Sequence, residues 1–253
     1  MRGRELPAPA GTDWPLWISI VLFAGSGFSA LVYEIVWFEL LELVVGSSAI
    51  SLGILLGTFM GGLCLGSLLL PRLVPRGAHP FRVYALLELG IAAFGVLVFF
   101  AVPLIGGLYT GSDAHGLWGV FLRAAFAAVC LLPPTLLMGA TLPAIARWVE
   151  ATPRGVGWLG VFYGSNIAGG ILGCLLAGFY LLRVHDAGVA TAVAAVTNVA
   201  VSAIAWTLAR RSTAPAPPPE MAASAAPAPF GNAAIYVAIA LSGLCALGGE
   251  VVW

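Results

Sequence analysis

Lysine is absent from this sequence, and charge of either sign is scarce. Eleven arginines stand against eleven acids, so 9% of the 253 residues are charged; a soluble domain carries roughly 25%. That excludes a soluble globular chain. Disorder is excluded too, because disordered chains are poor in apolar residues. Without a basic surplus there is no electrostatic footprint for nucleic acid, and none is expected as a partner. Cysteine is rare: Cys64, Cys130, Cys174 and Cys245 each lie alone in an apolar run. No CxxC or Cys/His pair exists, so neither a metal site nor a disulfide framework is signalled. His79, His115 and His185 form no constellation. No metal and no cofactor are expected.

What is there is apolar: 60% of the residues are hydrophobic, and the mean hydropathy is +1.01. The uncharged runs are Trp14–Tyr33, Leu43–Pro71, Leu89–Ser112, Ala124–Ala146, Gly155–Leu182, Ala187–Ala209 and Met221–Gly249. Crossing the hydrocarbon core takes about 20 apolar residues, and all seven runs suffice. The last begins in a linker, so its span starts near Asn232. A barrel would show short alternating segments, whereas these runs are apolar on every face. Trp14–Tyr33 is longer than a signal peptide's apolar region and no A-x-A site ends it, so it reads as an uncleaved first span.

The expected fold is an all-α polytopic membrane protein, a six-helix transmembrane bundle plus a seventh helix that begins a parallel second repeat. Residues 1–13 form an N-terminal tail, 14–209 the six-span domain, 210–231 a Pro/Ala-rich linker with little to bury, and 232–253 the seventh helix. Arginine placement orients the chain. Arg2, Arg4, Arg72, Arg76, Arg82, Arg147, Arg154, Arg210 and Arg211 all fall on one side of a six-crossing chain; only Arg123 and Arg183 do not. The N-terminus and the linker are therefore expected in the cytoplasm. Trp14, Trp17, Trp118, Trp148, Trp158 and Trp206 sit near span ends, where amphipathic rings prefer the interface.

An internal repeat pairs Gly25–Trp37 with Leu241–Trp253. Ser26/Ser242, Gly27/Gly243, Ala30/Ala246, Leu31/Leu247, Glu34/Glu250, Val36/Val252 and Trp37/Trp253 are identical at one offset of 216. Small residues match easily in membrane helices; a glutamate and a tryptophan in register do not. Six spans separate the copies, so both cross in the same direction, a parallel six-plus-six plan. The sequence stops inside the motif, and the chain is expected to be the front part of a longer protein, or a truncated one.

Two glycine patterns mimic dinucleotide fingerprints, Gly155–Gly160 and Gly25–Ala30. Neither follows a strand nor opens a soluble βαβ unit, so both read as helix contacts. Gly53, Gly57 and Gly61, with Gly62 and Gly66 alongside, recur at helical spacing in the second span. Gly160, Gly164, Gly169 and Gly173 do so in the fifth. Small residues four apart let backbones approach, so these are expected helix-packing positions.

Polar groups in the membrane are the sharper functional signal, because each is costly unless paired or hydrated. Glu34 lies 18 residues past Leu16, about 27 Å along a helix. Glu250 lies at similar depth in the seventh span. Arg123 enters the fourth span from the same side and is a candidate partner. Glu88 sits near the opposite third, with Arg72, Arg82 or Arg147 as candidate partners, and Asn166 falls mid-span. Glu34, Glu88, Arg123, Asn166 and Glu250 are the candidates for a solute or proton pathway; helix-pinning pairs are the structural alternative. Glu39, Glu42, Asp113 and Asp186 give the outer side an acidic mouth, which would concentrate small cations.

Several stretches carry a family resemblance: SGFSALVYEIVWFELL (Ser26–Leu41), GTFMGGLCLGSLL (Gly57–Leu69), YALLELGIA (Tyr84–Ala92), LLMGATLPAIAR (Leu136–Arg147) and GVFYGSNIAGGILGCLLAGFYLL (Gly160–Leu182). Together they resemble the membrane region of bacterial spermidine synthase-like proteins, fusions of a major facilitator-like part with a spermidine synthase. The resemblance implies a multi-pass protein of the bacterial inner membrane, followed in the family by an aminopropyltransferase-like Rossmann domain. That domain's nucleotide loop and catalytic aspartates have no counterpart here, so this chain by itself is not expected to be an enzyme, and no catalytic residue is assigned. At Pro71-Arg72 the loop motif of major facilitators departs from its pattern, with proline where an aspartate is usual.

The reading that follows is a membrane module that anchors a synthase domain and handles a polyamine or related small cationic solute. Two alternatives stay open: a structural scaffold docking other membrane proteins, and a dimerising half-transporter. Expected partners are the lipid bilayer and a C-terminal half or other membrane subunits.

Overall fold

The structure is a computed structural model that describes residues 14–46, 48–75, 77–109, 116–150, 155–212 and 236–245. The N-terminal tail, most of the linker and the end of the repeat, Glu250 included, lie outside the described residues. No strand occurs among those described. The helices are α1 (Trp14–Val45), α2 (Ala49–Leu73), α3 (Pro80–Tyr109), α4 (Gly116–Glu150), α5 (Gly155–Leu176), α6 (Leu182–Val184) and α7 (Ala187–Arg211). A π-helical turn, Ala177–Leu181, joins α5 to α6 so that they form one span. A shorter apolar helix, α8, covers Tyr236–Cys245. Among the described residues six helices are long and apolar enough to cross a bilayer. The chain is a multi-pass, membrane-embedded helical module.

Helix ends explain where the charge-free runs and the helices part company. α1 continues 12 residues past Tyr33, carrying Glu34, Glu39 and Glu42. It stops where Gly46 takes φ +90°, with its amide bonded to the Glu42 carbonyl at 2.9 Å. That is the left-handed glycine stop of a helix. Ser48 caps α2 through the Ser51 amide, and Asp186 caps α7 through the Val189 amide at 2.8 Å. α3 begins at Pro80, suited to a first helical turn because no amide is needed there. Five prolines lie inside helices: Pro71, Pro103, Pro133, Pro134 and Pro143. Beside two of them the Thr135 hydroxyl donates to the Leu131 carbonyl one turn back at 2.7 Å, which satisfies the hydroxyl within its own helix.

α2 lies along α4, α1 along α5, and α3 along α7; α3 also packs on α4, and α1 on α7. Exchanging α1 with α4, α2 with α5 and α3 with α7 maps that set of neighbours onto itself. Equivalent helices are separated by three crossings, an odd number, so the two three-helix units have inverted orientations. Glycines make both equivalent crossings. A methyl group on Gly66 would fall 2.0 Å from the Leu136 carbonyl oxygen, and one on Gly139 equally close to that of Leu63. Between α1 and α5, methyls on Gly169 and Gly173 would meet the Ala24 and Phe28 carbonyls at 1.9 and 2.2 Å. Gly27 meets Asn166 in the same way, at 2.1 Å.

Gly169 and Gly173 thus pack as their spacing suggests, but Gly53, Gly57, Gly61, Gly160 and Gly164 do not. Among the described residues nothing lies within 4 Å of a methyl group placed on any of these five. The correction has a geometric reason. One residue turns a helix by about 100°, so Gly62 and Gly66 point at α4 while Gly61 and Gly57 point past it. Spacing identifies a stripe; it does not say which stripe meets the neighbour.

Two apolar clusters fill the bundle, one around Tyr33, Trp37, Leu55 and Leu131, the other around Phe23, Phe81, Tyr84 and Phe162. At the second end His79 Nε2 lies 3.0 Å from the Ser212 carbonyl oxygen, and Arg147 donates to the Val74 carbonyl at 3.3 Å. The α2–α3 turn, the end of α4 and the end of α7 therefore share one face of the module. Arg72, Arg82, Arg147, Arg210 and Arg211 all belong to these segments, as their grouping on one side of the sequence requires.

Candidate functional site

The α1 stripe Ser26, Ala30, Glu34 recurs every four residues, so the three side chains lie on one helix face. All three line a partly open cavity of about 300 Å³. Phe59, Met60 and Leu63 of α2, Ile91 of α3, Met138 and Thr141 of α4, and Asn166 of α5 close it. Its volume is that of a small-molecule site, at the lower end of the usual range of about 300–1,000 Å³. The walls are mostly apolar, and the polar groups are few. Glu34 is 9% exposed and supplies a carboxyl group. Asn166 holds its amide against the Phe23 carbonyl at 3.0 Å, which fixes the side chain across the α1–α5 crossing. The Thr141 hydroxyl donates to the Met138 carbonyl at 2.7 Å, leaving its oxygen lone pairs as acceptors.

Ser26 connects this cavity to a second polar cluster. Its hydroxyl donates to Glu88 Oε1 at 2.5 Å, across 62 residues of sequence. Glu88 is wholly buried, and its other oxygen, Oε2, has no hydrogen-bond partner among the described residues. One turn along α1, the Ser29 hydroxyl donates to the Asn198 side-chain oxygen on α7. A turn further along α7, Ser202 donates to the Ala85 carbonyl of α3 at 2.7 Å. Tyr33 and Tyr84 stand near enough to Glu88 to feel its charge, and Tyr84 bonds the Leu22 carbonyl at 3.2 Å. Tyr33 Oη and Asn198 Nδ2 are buried without partners among the described residues, as Glu88 Oε2 is. This second cluster thus gathers serines, an asparagine, two tyrosines and the Glu88 carboxyl group.

Of the residues singled out from sequence, Glu34 and Asn166 meet in the cavity wall, and Glu88 lies behind it, one hydrogen bond away through Ser26. The arginine expected beside Glu88 is not there. Arg72 and Arg82 are exposed, and Arg147 is spent on the Val74 and Pro75 carbonyls. A guanidinium at a helix end finds bare carbonyls nearer than a carboxyl two turns inside the bundle. The backbone at Arg123 belongs to α4, but its side chain, like the whole of Glu250, lies outside what the structure describes. Sequence reasoning missed Ser26, Ser29, Asn198 and Tyr33. One signal was present: Ser26 recurs as Ser242 in the same repeat that repeats Glu34. Among the described residues no group of three His, Cys, Asp or Glu side chains is placed to hold a metal ion.

No family model, curated protein or solved structure matches this chain.

Proposed function

We propose that this chain is the membrane module of a spermidine synthase-like fusion protein, seated in a bacterial inner membrane with its N-terminus in the cytoplasm, and that its cavity binds a small cationic solute of the polyamine class. The observation that carries the reading is Glu34, a carboxyl group in the wall of an otherwise mostly apolar, 300 Å³ cavity between helices. A carboxylate in such a place attracts an ammonium group strongly, because the surroundings screen it poorly. The Thr141 and Asn166 oxygens supply further acceptors for an ammonium's three donors. Apolar walls suit the methylene segments between a polyamine's charges. The inverted pair of three-helix units also supports the reading, since such repeats build many secondary transporters and place their sites at the repeat interface. Catalysis is assigned to no residue of this chain; the synthase step would belong to a following domain.

Equilibrium binding of spermidine to the purified protein tests this. Binding should weaken at least tenfold in Glu34→Gln. Undetectable binding to the wild type, or equal affinity of the variant, would overturn the proposal.

A second reading, a scaffold or a half-transporter that dimerises, is favoured by one observation. Gly53, Gly57 and Gly61 on α2, and Gly160 and Gly164 on α5, face no described neighbour: among the described residues no atom would lie within 4 Å of a methyl group added at any of them. Small residues on an open face are what close helix association in a bilayer uses. The mass of the protein in mild detergent separates the two: a dimer that Gly57→Leu dissociates supports the second reading.

A further inference from the structure

We propose that Glu88 is a proton-binding site of this membrane module, loaded from the helix-lined cavity through the hydroxyl group of Ser26. The inference shares the cavity with the proposed solute function but does not need the solute.

Four observations meet here. Glu88 is 0% exposed, on a membrane-spanning helix. The hydrogen bond to its Oε1 comes from a neutral hydroxyl, and Oε2 has no partner among the described residues. Among the described residues, the groups facing it from each packed helix carry no positive charge. From α1 they are Ser26 and Tyr33, with Glu34 two turns further along the same face; from its own helix, Tyr84; α7 brings the neutral Asn198 and Ser202 to Ser29 and the Ala85 carbonyl nearby. From α4, Arg147 is turned away to the Val74 and Pro75 carbonyls. Finally, Ser26 lines the cavity and its hydroxyl holds Glu88, so one residue touches both compartments.

A wholly buried carboxylate with no described cation beside it is expensive in such a place, and uptake of one proton removes the expense. The route is short. A hydronium ion in the cavity gives a proton to Ser26 Oγ while the hydroxyl's own proton moves to Glu88 Oε1. Water, a neutral serine and a neutral carboxyl group result, so protons and charge balance. Reversal empties the site. Ser26 and Glu34 lie eight residues apart on one face of α1, about 12 Å along the helix. A cation held at Glu34 and a proton held at Glu88 would therefore occupy opposite ends of one wall.

Infrared difference spectra of the full chain in lipid vesicles, recorded between acidic and alkaline buffer without any solute, test the assignment. The wild type should show a protonated-carboxyl stretching band that titrates. Glu88→Gln, nearly isosteric, should abolish it, and Glu34→Gln should leave it. If Glu88→Gln does not fold, Glu88→Asp should shift the same band in frequency. Ser26→Ala should keep the band at equilibrium but slow its appearance after a pH jump at least tenfold. The proposal fails if no titrating carboxyl band appears, if the band survives Glu88→Gln or stays unshifted in Glu88→Asp, or if Ser26→Ala loads at the wild-type rate. Failure of spermidine binding leaves these spectra unaffected, so the two proposals fall separately.

Discussion

Gly66 of α2 and Leu136 of α4 touch backbone to backbone: a methyl group on the glycine would sit 2.0 Å from the leucine's carbonyl oxygen. No side-chain rotation relieves such a clash, because the obstacle is main chain. Gly66→Ala must therefore push α2 away from α4 and loosen the longest shared edge in the module. We expect a loss of at least about 2 kcal/mol, within the range for overpacking, read as a lowered midpoint of thermal unfolding in detergent. Gly57→Ala is the control. Its methyl group meets nothing within 4 Å among the described residues, so removing glycine's backbone freedom should stabilise by about 0.5–1 kcal/mol. Equal effects of the two changes would contradict the α2–α4 crossing.

The spans were legible because the bilayer imposes one rule on the whole run of residues. Charge-free stretches marked the six crossing helices, and arginine placement grouped the segments that His79, Arg147 and Ser212 bring to one end. Helix ends were less legible. Glu34, Glu39 and Glu42 broke the apolar run, yet α1 continues through them to Gly46 because backbone hydrogen bonds tolerate a buried or interfacial acid. The site was half legible. Depth and cost singled out Glu34, Glu88 and Asn166. Nothing local could reveal that Glu88 is met by Ser26 rather than an arginine, since the partners lie 62 residues apart and are joined only by the packing of α1 on α3. The glycine stripes show the same limit: periodicity fixes a face, and only the neighbour decides whether that face is used.

Asp186 accepts the Val189 amide at the start of α7. A carboxylate there satisfies a free amide and faces the positive end of the helix dipole. Asp186→Ala should cost about 1 kcal/mol, a typical value for a lost cap, whereas Asp186→Asn, which keeps the side-chain oxygen, should cost about half as much or less. Chemical denaturation of α7, followed by the fluorescence of Trp206 with the other tryptophans replaced, would resolve the two. Equal losses would mean that charge, not the hydrogen bond, holds this end.

The proposed orientation predicts opposite labelling of two turns. In a background without native cysteines, a cysteine at Gly77 in the α2–α3 turn should resist an impermeant maleimide in intact cells. Permeabilising the cells should expose it. A cysteine at His185, which is exposed at the opposite end, should react in both conditions. The reverse pattern would invert the topology. Labelling of both sites in intact cells would place the two turns on one side and break the six-crossing arrangement.

Ser29 and Asn198 join α1 to α7 deep in the bundle, and their bond is coupled to little else. The serine hydroxyl supplies the donor, the asparagine oxygen accepts, and Asn198 Nδ2 has no partner among the described residues. Removing the hydroxyl in Ser29→Ala leaves the whole amide group unsatisfied. Removing the amide in Asn198→Leu discards that burden but leaves the hydroxyl, which can fall back on the Ser26 carbonyl at 3.0 Å. Ser29→Ala should therefore be the more damaging single change, although it deletes only one oxygen. The double variant should be more stable than the sum of the two losses implies, because the leucine removes the group that Ser29→Ala orphans. Interhelical hydrogen bonds within membranes couple by about 0.6 kcal/mol on average and up to about 1.7, so a coupling of roughly 1 kcal/mol is expected. Thermal unfolding of the four proteins in detergent measures it. Strict additivity would show that the two side chains do not interact, and would remove the main polar tie between the first and last spans of the module.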